Sequence, residues 1–223
     1  MFGFPASTEF NKRIPKQKFY ENIKISPSVK RSFVDQVHLI YWRNKLSTTT
    51  LNVDKGLNVA EIEVLEVVLN TPQLDEAILR LIDQNIPYHI LFVLTYKNMA
   101  QAWISYKDAC STFSNKNRVH FYFHTAWIPQ TDLLFFTQGL NMDAIYENFV
   151  RNIAGFSPSS NSDVILRDQI NREELKQKLE RKIRALEAKI KKEVQFNTKI
   201  QISSHLKKLK IELSHINHEG NLP

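Results

Sequence analysis

The chain has 223 residues, of which 43% are hydrophobic and 24% are charged, and this suits one medium domain with an extension. Its 14 Phe, 7 Tyr and 3 Trp can build a sizeable core, which excludes disorder of the whole chain. The single cysteine excludes an internal disulfide, a thiolate zinc site and a two-cysteine redox motif. No apolar run approaches the roughly 20 residues that span a bilayer. The start also lacks the layout of a secretory signal, so we expect a cytoplasmic protein without a membrane partner.

The net charge of +7 is distributed unevenly. Residues 1–50 carry nine Lys or Arg against three Asp or Glu, residues 51–166 carry seven against twelve, and residues 167–223 carry fourteen against eight. Two interpretations are open. The basic ends dock on the acidic middle or keep the chain soluble, or they form a phosphate-facing surface that binds DNA or RNA.

The first quarter of the chain is predicted to contain one long helix. Residues 1–25 are expected to be mostly irregular, because two prolines interrupt regular structure there. Ser26-Pro27 is typical of a helix start, since Ser caps free amides and Pro fits the first turn. We expect this helix to reach Leu46. Its apolar stripe consists of Phe33, Val37, Ile40 and Tyr41.

The middle of the chain predicts a mixed β-sheet with packed helices, and residues 1–155 are assigned to this α/β domain. Strands are predicted at 59–69, 88–96, 102–106 and 118–125, and helices at 74–84 and 142–154. The strand–helix–strand opening indicates a parallel pair, and the later strands add antiparallel neighbours.

The C-terminal part predicts helices that pack on each other. Residues 156–168 are expected to be a linker, and 169–218 to form a helical hairpin or coiled coil, with one long helix as the alternative. Apolar residues recur there at helical spacing in two stretches that do not share one phase: Leu175, Leu179, Ile183, Leu186, Ile190 and Val194, then Leu206, Leu209, Leu213 and Ile216. Those predicted to contact a protein partner, or a second copy of the chain, are Leu186, Ile190, Leu206, Leu209 and Leu213.

Glu61 and Glu63 lie two residues apart in a predicted strand, so their carboxylates face the same side. Paired acids can hold a divalent metal in a nuclease site, and with Asp83 these glutamates are the weak candidates for catalysis. The alternative places Ile62 and Val64 on the inward face, so that both glutamates are solvated or pair with a basic end. Neither a nucleotide-binding nor a hydrolase motif is present. We therefore predict no cofactor and no metal.

Basic and aromatic residues are interleaved in two N-terminal segments, residues 12–24 and 41–45. Such segments can stack on and neutralise a single nucleic-acid strand, although the same aromatic side chains could anchor the segments to the sheet. The candidates for nucleic-acid contact are Lys12, Arg13, Lys16, Lys18, Arg43, Lys45, Lys191 and Lys192.

Several short motifs together resemble a known family. They are Phe-Gly-Phe-Pro at 2–5, Ile-Pro-Lys-x-Lys-Phe-Tyr-Glu at 14–21, Ile-Tyr-Trp-Arg-Asn-Lys-Leu-Ser at 40–47, Thr-Leu-Asn-Val at 50–53, Ile-Pro-Tyr-His-Ile-Leu-Phe at 86–92 and Ala-Trp-Ile-Ser-Tyr-Lys at 102–107. The combination resembles the bacterial and archaeal family catalogued as domain of unknown function 4391. This resemblance implies a setting near DNA methyltransferases and superfamily-2 helicases in restriction-like, anti-phage loci, and it implies no catalytic residue.

Two functions are compatible with these observations. The first is a non-catalytic accessory or adaptor subunit of a bacterial DNA-processing, restriction-like assembly, which docks a helicase or methyltransferase and contacts nucleic acid. The alternative is a divergent metal-dependent nuclease effector. The discriminating geometry is a pair of carboxylates within about 4–6 Å of each other at a concave surface, which a nuclease needs.

Overall fold

The computed structural model describes residues 2–21, 25–108, 118–156 and 163–219. The chain divides into two compact units, Met1–Pro158 and Ser159–Pro223. The first unit is a mixed sheet with packed helices, and the second consists of two helices that pack on each other. This arrangement confirms the predicted α/β class.

A seven-stranded sheet forms the centre of the first unit, in the order β1-β2-β3-β4-β5-β6, with β7 paired to β5. The strands are β1 (Glu9–Ile14), β2 (Val37–Ser47), β3 (Glu61–Leu69), β4 (His89–Tyr96), β5 (Met99–Asp108), β6 (Arg118–His124) and β7 (Ile128–Pro129). β3 and β4 are parallel, as the strand–helix–strand pattern predicts. The other described pairings are antiparallel.

Helices cover both faces of this sheet. They are α1 (Gln17–Glu21), α2 (Pro27–Gln36), α3 (Thr48–Leu51), α4 (Glu76–Asn85) and α5 (Met142–Ala154), preceded by a 3-10 turn at Ala6–Thr8. α2 and α4 pack on one face, where Phe33 and the apolar side of α4 belong to the same core cluster as Leu65 of β3. α5 packs on β5 and β6. Its Tyr146 ring contacts the His89 ring, and His89 pairs with Ile62 of β3. Because side chains alternate along a strand, Ile62 and Leu65 lie on opposite faces of the sheet. α5 therefore covers the face opposite α2 and α4.

The segment from Pro27 to Leu46 is where the sequence prediction is wrong. Ser26 caps α2 as expected, with its hydroxyl accepting a hydrogen bond from the Val29 amide (3.3 Å), but the helix ends at Gln36 and β2 begins at once. The residues after Gln36 are rich in β-branched and aromatic side chains, which suit a strand paired on both sides. The N-terminal region predicted to be irregular likewise contains β1 and α1.

The second unit is a hairpin of two long helices, α6 (Asp163–Lys192) and α7 (Phe196–Glu219). α6 begins inside the segment predicted to be a linker. Three residues separate the helices, and the Glu193 carboxylate accepts hydrogen bonds from the amides of Val194 and Gln195, both at 2.9 Å. Because a connection this short joins helices that pack on each other, they run antiparallel.

Candidate functional site

A lysine and two glutamates meet at the beginning of β3. Lys45 of β2 pairs in register with Glu63, and Ser47 pairs with Glu61. The Lys45 ammonium nitrogen lies 2.9 Å from Oε2 of Glu61. The structure therefore brings together two of the three predicted acids and one predicted phosphate-binding lysine.

An irregularity in β2 determines which side chains face this cluster. The register between β2 and β3 shifts between Trp42 and Asn44, which is the signature of a β-bulge. Trp42 pairs with Leu65 and Lys45 with Glu63, so both lie on the face that α2 and α4 cover. Without the extra residue, Lys45 would point to the opposite face.

Glu63 is buried without a donor. It is only 2% exposed, and neither of its carboxylate oxygens accepts a hydrogen bond from the residues that the structure describes. Oε1 of Glu61 is also buried and lacks a donor in the same part of the chain. The expectation that the two glutamates face solvent is therefore wrong for Glu63, because helices cover both faces of the sheet. For Glu61 the expected pairing with a basic residue is present.

Glu66, on the same strand, shows how a buried carboxylate is normally satisfied. It is 3% exposed, and its oxygens accept hydrogen bonds from the Arg43 guanidinium (2.6 Å) and the Thr95 hydroxyl (3.0 Å). Arg43 also lies over the Tyr41 ring, 4.2 Å from its centroid. Glu66 is thus neutralised and hydrogen-bonded by the protein itself, whereas Glu63 is not.

The protonation of the cluster follows from burial and charge. Burial raises the pKa of Glu63 to about 9, and the close approach of the negatively charged Glu61 carboxylate acts in the same direction. Burial also opposes ionisation of Glu61, but the neighbouring Glu63 and the Lys45 ammonium outweigh burial and lower the pKa of Glu61. The hydrogen bond to Glu61 raises the pKa of Lys45. At neutral pH the pair therefore shares one proton, with Lys45 paired to the ionised partner.

Asp83, the third predicted acid, belongs to a different cluster. It is fully buried on α4, where Oδ2 accepts hydrogen bonds from the hydroxyls of Ser105 (2.6 Å) and Tyr122 (2.9 Å). Burial and the Asp83 charge raise the pKa of Tyr122 well above its usual range. Glu63 lies on β3 and Ser105 on β5, with β4 between them, so the two strands are about 10 Å apart.

The predicted nucleic-acid residues divide into engaged and exposed groups. Arg43 and Lys45 are engaged with Glu66 and Glu61, and the Lys16 ammonium donates to the Val37 carbonyl (2.6 Å). The exposed side chains among the candidates are Lys12, Arg13, Lys18, Lys191 and Lys192. In the N-terminal group, exposure therefore selects Lys12, Arg13 and Lys18 as the candidates available to phosphate.

The five residues predicted to bind a protein partner lie in the seam between α6 and α7. Leu206 and Leu209 are buried there, and Leu186, Ile190 and Leu213 pack against the same cluster. This seam holds the hairpin together, with Leu206 and Leu209 buried and Leu186, Ile190 and Leu213 half-buried. A partner that leaves the hairpin closed also needs a face outside the seam.

Such a face exists on α7. Phe196, Ile200 and Ile211 are exposed, and their helical spacing places them together on the side opposite the seam residues. Beside them runs a groove of about 420 Å³ whose lining is Ser203, Leu206, Lys207, Lys210, Ile211 and Ser214. α7 therefore exposes three apolar side chains outside the seam that the hairpin buries.

Comparison with known families gives one match, to the model described as Domain of unknown function (DUF4391), over residues 2–213. The chain belongs to the DUF4391 family. Neither the curated proteins nor the solved structures give a match. In the described part of this DUF4391 chain, no group of three or more His, Cys, Asp or Glu is arranged to hold a metal ion. The helices in that part are also too short or too polar to cross a membrane.

Sequence reasoning about this DUF4391 chain missed the role of Lys45 because it assigned residues 27–46 to a helix. A helix does not pair with a strand, so a helical Lys45 would not lie opposite Glu63. The strand propensity of residues 37–42, which are rich in Val, Ile, Tyr and Trp, was the signal that could have revealed the pairing. The bulge that directs Lys45 towards the glutamates has no signature in a single sequence.

Proposed function

We propose that this DUF4391 chain is a non-catalytic accessory or adaptor subunit of a bacterial DNA-processing assembly of the restriction-like, anti-phage kind. It docks a helicase or methyltransferase partner through its C-terminal hairpin and acts in the cytoplasm. The observation that supports docking is the exposure of three apolar side chains on the side of α7 opposite the seam, beside a groove. The DNA-processing setting is what the family resemblance implies.

The exposed face of α7 has the properties of a helix-binding surface. An amphipathic helix binds such a surface by placing apolar side chains at successive turns into a groove. Phe196, Ile200 and Ile211 offer apolar contact, and the small side chains of Ser203 and Ser214 let another backbone approach closely.

Charge indicates which kind of helix fits this surface. Lys207 and Lys210 line the groove, and Lys208 is exposed beside them. We therefore infer that the partner presents an amphipathic helix with Asp or Glu beside its apolar stripe, because opposite charges at the rim of an interface favour the correct partner.

The test is purification of the tagged chain from its native host, with and without nuclease treatment, for the wild type and two double variants. Ile200→Lys with Ile211→Lys places two charges in the proposed face. Gln201→Lys with His205→Lys adds the same two lysines at exposed positions of α7 outside it. We expect a helicase or methyltransferase to be recovered with the wild type and the second variant and to be lost with the first. Recovery with all three chains, or loss upon nuclease treatment, would contradict the proposal.

A second candidate function is metal-dependent phosphodiester cleavage by a divergent nuclease site. One observation favours it: the carboxylates of Glu61 and Glu63 converge beside Lys45, and such hydrolysis uses a cation held by carboxylates. For the isolated chain we nevertheless expect no cleavage of plasmid DNA or RNA with Mg²⁺ or Mn²⁺, because Asp83 lies in a separate cluster. Cleavage that disappears in Glu61→Ala or Glu63→Ala, with the fold intact, would establish the second candidate instead.

A further inference from the structure

We propose that Glu61 and Glu63 form a binding site for one divalent cation of the Mg²⁺ class at the beginning of β3, beside Lys45. This inference concerns binding of the cation alone, so it goes beyond the docking function and does not require the chain to cleave phosphodiesters.

Three buried carboxylate oxygens of this pair have no hydrogen-bond donor in the described part of the chain. Lys45 contacts Oε2 of Glu61, which leaves Oε1 of Glu61 and both oxygens of Glu63 without a donor within the described ranges. Buried carboxylates are normally paired or coordinate a metal, since the desolvation cost is otherwise large. Lys45 can neutralise one of the two carboxylates, so a second positive charge is required when both are ionised.

Glu63 and Glu66 lie on the same strand but differ in their partners. Glu66 is buried to the same extent as Glu63, but Arg43 neutralises it and Thr95 completes its hydrogen bonding. A carboxylate retained for structure alone has this appearance. Glu63 has acceptor oxygens directed at a second carboxylate and no arginine, which is the arrangement of a cation ligand.

The number of carboxylates at the site determines which cation it can bind. Zn²⁺ prefers four nitrogen, sulfur or carboxylate ligands, and Ca²⁺ takes six to eight oxygens, whereas no group of three acidic, His or Cys residues is found among the described residues. Mg²⁺ and Mn²⁺ bind through one or two carboxylates and fill their remaining positions with water or phosphate oxygens. The side chain of Lys45 is 38% exposed and that of Glu61 is 12% exposed, so this pair gives solvent and a phosphate access to the site.

The experiment is a titration of the metal-free full chain with Mn²⁺, followed by the electron paramagnetic resonance signal of free Mn²⁺. We compare the wild type with Glu63→Gln and Glu61→Gln, which keep the side-chain volume. Glu76→Gln is the matched control, because Glu76 is a partly exposed carboxylate of the same unit, paired with Arg80. Mg²⁺ is added as a competitor.

We expect the wild type and Glu76→Gln to bind one Mn²⁺ that Mg²⁺ displaces. Glu63→Gln and Glu61→Gln should each lose at least about tenfold in affinity for Mn²⁺. Lys45→Met should bind Mn²⁺ more tightly, because a positive charge next to the cation is removed. Equal binding by the wild type and Glu63→Gln, or no binding by the wild type at about 1 mM Mn²⁺, would overturn the proposal and leave a proton-sharing pair. If Glu63→Gln does not fold, Glu61→Gln decides. Docking to a partner is measured separately, so failure of one proposal is distinguishable from failure of the other.

Discussion

At the scale of single residues, β3 holds two buried carboxylates that differ in their partners. Glu66 is ion-paired with Arg43, whereas burial raises the pKa of Glu63 to about 9. The folded state therefore keeps a proton on Glu63 that the unfolded chain releases above the ordinary value of 4.5. The stabilisation from this proton is complete below the unfolded pKa and is lost as the pH rises towards the folded pKa.

This linkage predicts that Glu63→Gln, which stays neutral at every pH, removes a pH dependence. In metal-free buffer, the free energy of unfolding of the wild type should fall relative to that of the variant by up to about 1.4 kcal/mol per pH unit between about pH 5 and pH 9. Urea denaturation of both proteins at several pH values in this range measures the difference. Parallel profiles would show that Glu63 is ionised in the folded state.

A second residue-scale feature fixes the loop that leads into β3. The carboxylate of Asp143 at the start of α5 accepts hydrogen bonds from the amides of Leu57 and Val59, both at 2.7 Å. Gly56 lies directly beside it, and a Cβ added there would be 2.3 Å from Oδ1 of Asp143 and 2.7 Å from the Val59 carbonyl. These contacts are too close for any side chain at position 56.

Gly56→Ala should therefore lower the free energy of unfolding by about 1–3 kcal/mol, the usual cost of overpacking. Gly155→Ala is the comparison, because a Cβ there meets nothing within 4 Å and only the positive φ of 71° opposes it. We expect about 1 kcal/mol for that variant. Chemical denaturation of the two proteins tests the order, and a smaller loss for Gly56→Ala would contradict the described loop.

At the scale of elements, the sequence predicted α4 and α5 close to their observed bounds, because their apolar residues recur at helical spacing. The Asp75 carboxylate caps α4, and Gly155 in the αL conformation ends α5. β2 was missed because Phe33, Val37, Ile40 and Tyr41 fit a helical stripe even though only the first lies in α2. The later three residues lie in a strand because β2 pairs with β1 and β3. Such long-range pairing cannot be read from a short stretch of sequence.

The burial of Glu63 was missed for a related reason. The alternation of Glu61 and Glu63 with Ile62 and Val64 is typical of a strand with one solvent-exposed face, and the two glutamates were assigned to that face. β3 is instead central and covered on both sides, as strands of parallel units are. The paired carboxylates were therefore predictable as a pair, but their environment was not.

The hairpin gives a prediction that separates its two faces. Leu209 is 7% exposed in the seam, whereas Ile211, on the same helix, is 48% exposed. Leu209→Lys should lower the helix content and the melting temperature of the hairpin, because burying the ammonium is costly. Ile211→Lys should leave both unchanged, as surface substitutions do. Circular dichroism of the two variants measures this, and equal effects would refute the assignment of the faces.

At the scale of the whole molecule, the basic N-terminal segment gives a prediction for nucleic acid. Lys12, Arg13 and Lys18 are exposed, whereas Lys16 is bonded to the backbone and is left unchanged in the test. Charge reversal of the three exposed residues should weaken binding equally for all sequences, because phosphate contacts carry no base information. The affinity should fall with salt at a log–log slope of about −0.9 per duplex phosphate or −0.7 for a single strand.

Titrations of the wild type and the triple reversal at about 50 and 200 mM salt measure this effect. Loss of affinity for only some sequences would indicate an element that reads bases. Absence of binding at the lower salt would reject nucleic-acid contact and leave docking to protein as the role of the chain.

The central claim, that the outer face of α7 docks a DNA-processing partner, is tested most directly by site-specific photo-crosslinking in the native host. A photoreactive amino acid replaces Ile211 in the proposed face, or Gln201 at an exposed position outside it. The docking account predicts cross-links from position 211 to a helix of a helicase or methyltransferase, and none from position 201. Cross-links from 201 alone, or from neither position, would contradict it.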